Sequence, residues 1–239
     1  MTGLRRTHRG ALATLQTILA AVLLLLVAAA PAAAQERLVL AFGDSLTAGY
    51  QLRAADGFTA QLERALRARG HAVRVHNAGV SGDTSAGGRA RLGWVLGSLK
   101  QKPNLAIVEL GANDMLRGLP PAQTRANLDA ILTELKRRQI PVLLAGMGAS
   151  RTLGPDYVRA FDAIFPELAT RHGATLYPFF LEGVAFERSL LLPDGLHPNA
   201  AGVAVIVRNI LPTVERALGP GPRLAPAPGA VARPAPAKG

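Results

Sequence analysis

Cysteine is absent from the 239 residues, which excludes a disulfide framework, a thiol nucleophile and the lipid-attachment cysteine of a lipoprotein. Aromatic residues are scarce, with one tryptophan, three tyrosines and seven phenylalanines, too few for the stacking platforms that hold single-stranded nucleic acid. Acidic residues are the minority charge: 16 Asp and Glu stand against 27 Lys and Arg, a net +11. That excess is not a nucleic-acid signal, because Arg5, Arg6 and Arg9 lie at one end of the chain and Arg223, Arg233 and Lys238 at the other. Between them, 21 basic and 16 acidic residues leave +5, with Lys136-Arg137-Arg138 the one dense cluster. No nucleic-acid partner is expected, while a mildly basic face suits peripheral contact with lipid. Three motifs are also missing. Without G-x-S-x-G there is no α/β-hydrolase nucleophile elbow, and without G-x-G-x-x-G or G-x-x-x-x-G-K-[ST] no nucleotide cradle. No close histidine pair or dense carboxylate group offers a metal site, so neither metal nor other cofactor is expected.

What is present begins with a leader. Arg5, Arg6 and Arg9 precede an almost uncharged run over residues 11–30, and Ala32-Ala33-Ala34 supplies a small-residue cleavage site before Gln35. That order reads as a signal peptide over residues 1–34, cleaved near Ala34, of an exported protein, periplasmic or secreted. From Gly219 to the end the chain is dominated by Pro, Gly and Ala, a composition that cannot bury a core and is expected to be disordered. Residues 35–218 remain as one domain, without internal repeats and read as a monomer.

Within that domain, short apolar runs over residues 38–42, 72–76, 105–110, 142–145 and 175–177 read as strands. Helical stripes at i, i+3, i+4 and i+7 separate or follow them: Leu92-Val95-Leu96-Leu99, Leu128-Ile131-Leu132-Leu135, Phe161-Ile164-Phe165-Leu168 and Val203-Ile206-Val207-Ile210. Strands alternating with helices predict a parallel sheet with right-handed crossovers, covered on both faces, in a three-layer α/β/α sandwich. Pro166 and Pro212 fall inside helical stripes and are expected to kink or end them.

Ligands of such a sheet bind at the carboxyl ends of the strands. Three loops there carry unusual polar content: Gly43-Asp44-Ser45-Leu46, the run from Asn77 to Thr84, and Gly111-Ala112-Asn113-Asp114. A fourth segment, Asp194-Gly195-Leu196-His197-Pro198, precedes the last helix. Together they hold the parts that acyl transfer requires. Ser45 sits in a strand-to-helix turn as a nucleophile. His197 is a base, and Asp194, three residues earlier, orients it. The backbone N–H groups of Ser45 and Gly82 and the side-chain amide of Asn113 are candidate oxyanion donors; at Gly82 the missing Cβ leaves room for a carbonyl oxygen. His197 is favoured by elimination, since His71, His76 and His172 sit at a turn, a strand end and a helix end, and only His197 has a carboxylate at i−3. Duller roles exist beside these: a helix cap for Asp44 or Ser45, and an Asx turn for Asn113 and Asp114.

The four segments together resemble the GDSL or SGNH hydrolase family, whose sequence blocks contribute Ser, Gly, Asn and His, matched here by Ser45, Gly82, Asn113 and His197. The similarity extends from Leu40 to about Leu218. It runs through Gly82-Asp83-Thr84-Ser85, Glu109-Leu110-Gly111, Leu116-Arg117-Gly118 and Pro178-Phe179-Phe180, and is greatest to the bacterial periplasmic subgroup of thioesterase, lysophospholipase and arylesterase. Ala112 stands where that subgroup often has glycine. The resemblance implies a flavodoxin-like five-stranded sheet in the order 2-1-3-4-5. It also implies hydrolysis of small carboxylic esters and thioesters through an acyl-enzyme. A carbohydrate O-acetyl esterase on the same fold, and a noncatalytic lipid- or sugar-binding module, are the alternatives. Met147, Leu153, Tyr157 and Phe180, in the segments after the fourth and fifth strands, are expected walls of an acyl groove.

Overall fold

A computed structural model describes residues 36–221. The expected leader falls outside the described residues, as does the tail beyond Gly221. The elements are β1 (Arg37–Gly43), α1 (Ser45–Ala48), α2 (Phe58–Ala68), β2 (Val73–Gly79), α3 (Ser85–Ser98), β3 (Leu105–Glu109), α4 (Ala112–Leu116), α5 (Pro121–Arg137), β4 (Val142–Ala145), α6 (Pro155–Asp162), α7 (Ile164–His172), β5 (Thr175–Tyr177) and α8 (Ala200–Leu218). All strand pairs are parallel, and the sheet order is β2-β1-β3-β4-β5, the order the family resemblance implied.

The connections explain the layers. From β1 the chain steps outward to β2 through α2, then reverses and passes β1 to reach β3 through α3. With right-handed crossovers, this reversal puts α2 on one face and α3 on the other. The later steps to β4 and β5 run in the second direction, so α5, α6 and α7 join α3, and α8 returns to pack on α2. Both faces of the sheet are thereby covered, which is why all residues of β1 and β3 are buried. The reversal also opens a crevice between the carboxyl ends of β1 and β3, the position where α/β sheets bind ligands.

The expected helical stripes turn inward. Leu128, Ile131, Leu132 and Leu135 of α5 are fully buried, as are Phe161, Ile164 and Leu168, and Val203, Ile206, Val207 and Ile210 are nearly so. The two prolines part company. Pro166 breaks its stripe where the ring would clash, at the carbonyl four residues earlier: α6 ends at Asp162 and α7 begins at Ile164. Pro212, expected to kink or end a helix, lies inside a continuous nineteen-residue α8. Buried Ile210, Leu211, Thr213 and Val214 hold the helix through it. Because Pro212 itself is exposed, Pro212→Ala removes no core contact and restores an N–H donor. The variant is expected to be more stable by up to about 3 kcal/mol, read as a thermal midpoint raised by several degrees.

At the amino end of the sheet, buried Arg37 donates to the carbonyls of Leu218 and Gly219 at 3.1 and 3.0 Å and to His71 Nδ1 at 3.0 Å. His71 Nε2 in turn meets Glu215 at 2.9 Å. These contacts fasten the end of α8 to β1, opposite the crevice.

Candidate active site

β1 ends at Gly43, and Asp44 turns the chain into α1. The cap is Asp44, whose Oδ1 accepts from Leu46 N–H at 3.0 Å. Ser45 is thus the first helical residue, and its own N–H belongs to the helix-terminal amides that lack intrahelical partners. The segment after β5 brings His197 to it. Asp194 and Gly195, the latter at φ +71°, make a tight turn in which Asp194 Oδ1 accepts from the N–H groups of Leu196 and His197 at 2.9 and 3.0 Å. Beyond it, Asn199 caps α8 through Ala201 and Gly202.

This framework leaves the His197 ring between two partners: Nδ1 is 2.7 Å from Asp194 Oδ2, and Nε2 is 2.9 Å from Ser45 Oγ. A carboxylate can only accept, so Nδ1 carries the proton and the Nε2 lone pair receives the Ser45 hydroxyl. The N–H groups of His197 and Leu196 hold the Asp194 carboxyl down at about 2, so it remains an anion at any pH near neutrality.

The other candidate donors come from β2 and β3. β2 runs further than its apolar run suggested, through Asn77, Ala78 and Gly79, so His76 lies within the strand and not at its end. The loop after it closes with Val80 N–H on Gly43 O at 3.0 Å. Gly82 stands at φ +83°, and a Cβ there would meet nothing closer than Arg117 Nη2 at 3.9 Å. Backbone conformation, more than crowding within the protein, is what asks for glycine at this position. Asn113, in α4, donates from Nδ2 to Asp83 O at 2.9 Å and to Asp44 Oδ2 at 3.1 Å. Both amide hydrogens are therefore engaged, and an incoming oxyanion must share or take one of them. Neighbouring Asp114 is buried and accepts from Ser85 N–H at 2.7 Å, Ser85 Oγ at 2.5 Å and Thr124 Oγ1 at 3.2 Å. Its work is to tie α4 to α3 and α5.

Three further residues contribute, and the first two carry no sequence signal of position. Tyr50 lies over the His197 ring, centroid to centroid 4.3 Å, where its π face favours an imidazolium. Arg91 joins the first two loops: Nη2 donates to Gly43 O at 2.9 Å, Nη1 to Ala78 O at 2.8 Å and Nε to Asp83 at 2.6 Å, with the guanidinium 4.2 Å from the Phe42 ring centre. Glu109 is buried behind Asp44. It had a signal of sorts, being a lone acid in an otherwise apolar strand.

The expected groove residues are dispersed. Phe180 is fully buried against Phe58, ring centres 5.1 Å apart, so it is core and not a wall open to ligand. Tyr157 stacks on Phe161 and donates its hydroxyl to Leu119 O at 2.8 Å. Met147 is buried beside a hollow of about 330 Å³ that Phe165, Pro178 and Phe179 also line. Leu153 is exposed.

The profile of the GDSL-like Lipase/Acylhydrolase family matches residues 41–205. The chain is 52% identical to AlinE4, an SGNH-hydrolase family esterase of known crystal structure, over 78% of this chain and 98% of that one, with a TM-score of 0.66. It is 39% identical over 182 residues to Esterase TesA of Pseudomonas aeruginosa, covering 76% of this chain and 90% of the relative. It is also 39% identical over 161 residues to Thioesterase 1/protease 1/lysophospholipase L1 of Escherichia coli K12, covering 67% and 75%. Fold, hydroxyl–imidazole–carboxylate geometry and these likenesses agree: the chain belongs to the GDSL-like lipase/acylhydrolase family and is a serine ester hydrolase.

Proposed function

We propose that Ser45 is the nucleophile, His197 the general base and then acid, and Asp194 its orienting carboxylate, in hydrolysis of acyl esters and thioesters of apolar acids. The observation that carries this reading is the unbroken relay Ser45 Oγ, His197 Nε2, His197 Nδ1, Asp194 Oδ2 at 2.9 and 2.7 Å. Ser45 Oγ attacks the acyl carbon as its proton passes to Nε2. The oxyanion forms against the N–H groups of Ser45 and Gly82, with Asn113 giving up a share of its bond to Asp44 or Asp83. Nε2 returns the proton to the leaving alcohol or thiol, and water releases the acid by the same steps.

The acyl preference rests on the distribution of exposed apolar residues. Among the described residues, seven large apolar side chains are exposed, and six of them, Tyr50, Val80, Leu116, Leu153, Phe186 and Leu196, stand on segments leaving the carboxyl ends of the strands. Apolar side chains exposed on the segments at the sheet edge that carries Ser45 suit substrates with a hydrocarbon chain and transient contact with lipid. The relatives named thioesterase and lysophospholipase point the same way. Export through the leader at residues 1–34 belongs to this reading.

The test is hydrolysis by residues 35–218 of nitrophenyl esters, acyl-CoA thioesters and lysophospholipids across chain lengths, with acetylated sugars beside them. Turnover rising with chain length supports the proposal, and turnover confined to acetylated sugars overturns it. For the oxyanion donors, Asn113→Ala is expected to lower kcat roughly 10²- to 10³-fold with little change in KM, measured on a short nitrophenyl ester.

A further inference from the structure

Behind the site lies a carboxyl pair that the mechanism above does not use. Glu109 ends β3 and is wholly buried, as is Asp44. Glu109 Oε2 accepts from Thr47 Oγ1 at 2.8 Å and more distantly from Asp44 N–H at 3.4 Å. Gly43 makes room for this approach, since a Cβ there would lie 2.6 Å from Oε2. The other oxygen, Oε1, is buried without a partner if Glu109 is a carboxylate. Asp44 and Glu109 are thus in contact through the Asp44 N–H, and each carboxyl group acts on the ionisation of the other.

Charge decides the state of this pair. Arg91, near Gly43, spends its nitrogens on Gly43 O, Ala78 O and Asp83, and the electrostatic influence of His197 falls on Asp44. Two adjacent buried carboxylates without a paired cation cannot both ionise. The donors show which one keeps its charge. Asp44 already receives an N–H on each oxygen, from Leu46 and from Asn113, whereas Glu109 Oε1 has none and gains a partner only by carrying a proton. Burial pushes both groups up, Asp44 to about 6 and Glu109 well above the ordinary range, Glu109 further because the Asp44 charge adds to burial.

We propose that Glu109 is a positioning residue: as a neutral acid it donates Oε1–H to the Asp44 carboxylate and thereby fixes, through Asp44 Oδ2, the Asn113 amide that meets the oxyanion. The proton location stands by itself; its effect on rate rests on the reading of Asn113 given above. Because the protonated form is the working one, activity falls as pH rises far enough to ionise Glu109.

Infrared spectroscopy of the whole domain at neutral pH tests the proton directly. A carboxylic-acid C=O band that is present in the parent protein and in Ser45→Ala, and missing in Glu109→Gln, supports the proposal; no such band in the parent overturns it. Kinetics test the consequence. Glu109→Gln keeps a donor that cannot ionise, so it is expected to hold kcat within about threefold and to lose the alkaline decline. Glu109→Met, which cannot donate, is expected to lower kcat roughly tenfold to hundredfold at unchanged KM, and to cost nothing further in an Asn113→Ala background. Parental kcat in Glu109→Met, an unaltered alkaline decline in Glu109→Gln, or additive losses in the double variant each overturn the positioning role.

Discussion

Replacing Ser45 by alanine is expected to lower kcat by about 10⁵- to 10⁶-fold on any acyl substrate while leaving the fold in place. The Ser45 hydroxyl makes one hydrogen bond to the protein, to His197, so its removal costs the structure about 1 kcal/mol and opens no sizeable cavity. The chemistry loses far more. Neither His197 nor Asp194 can form the acyl intermediate, and only the oxyanion donors are left to act on a carbonyl attacked by water. Turnover of a nitrophenyl ester, with a thermal midpoint as the control, measures the effect. A variant that kept a hundredth of parental turnover would refute Ser45 as the nucleophile. Mass spectrometry of the parent after treatment with an alkyl phosphonate ester supplies the positive result: one adduct per chain, on Ser45, absent from the variant.

The second large effect is expected from Asp194→Asn, at roughly 10⁴-fold in kcat. The substitution is nearly isosteric, and an asparagine Oδ1 can still accept from the N–H groups of Leu196 and His197, the contacts that shape the turn. Toward the ring, however, it presents an amide donor where a carboxylate stood. His197 Nδ1 must then become the acceptor, its proton moves to Nε2, and the lone pair that should receive the Ser45 proton is gone. The thermal midpoint should therefore move little while turnover collapses, a combination that separates tautomer control from structural damage. Equal loss of fold and activity would instead mark Asp194 as a turn-former. The same anion sets the pH behaviour of the parent. Its carboxyl is held down at about 2 by backbone N–H groups, so Asp194 contributes charge throughout the working range and no acid limb of its own.

Much of this molecule was legible along the chain because local rules govern it. β4 and β5 fall on the expected residues 142–145 and 175–177, since an apolar run bounded by turn-formers has few other uses. Pro166 interrupts its helical stripe, as expected, because its clash is with a carbonyl four residues away. Ser45, Gly82, Asn113 and His197 fall on the segments that sequence placed at one edge, and the sheet order explains why those segments meet. Where local rules misled, burial had overruled them: α8 runs through Pro212 because the apolar side chains on either side of it are held in the core, and Phe180 turned inward to Phe58.

The amino-acid sequence by itself determined the alternation of strand and helix, the polar loops and the chemical types of the reacting groups, all of which follow from periods and neighbours a few residues apart. Only the tertiary structure decided which atoms meet. Ser45 and His197 are 152 positions apart, Asp44 and Asn113 are 69, and Thr47 and Glu109 are 62. Whether such groups stand at 3 Å or elsewhere depends on strand order and on which way each side chain turns. Arg91 tying two loops, Tyr50 over the imidazole and one proton held between two buried acids arise from that packing, because charge and shape act through space, while sequence records only order.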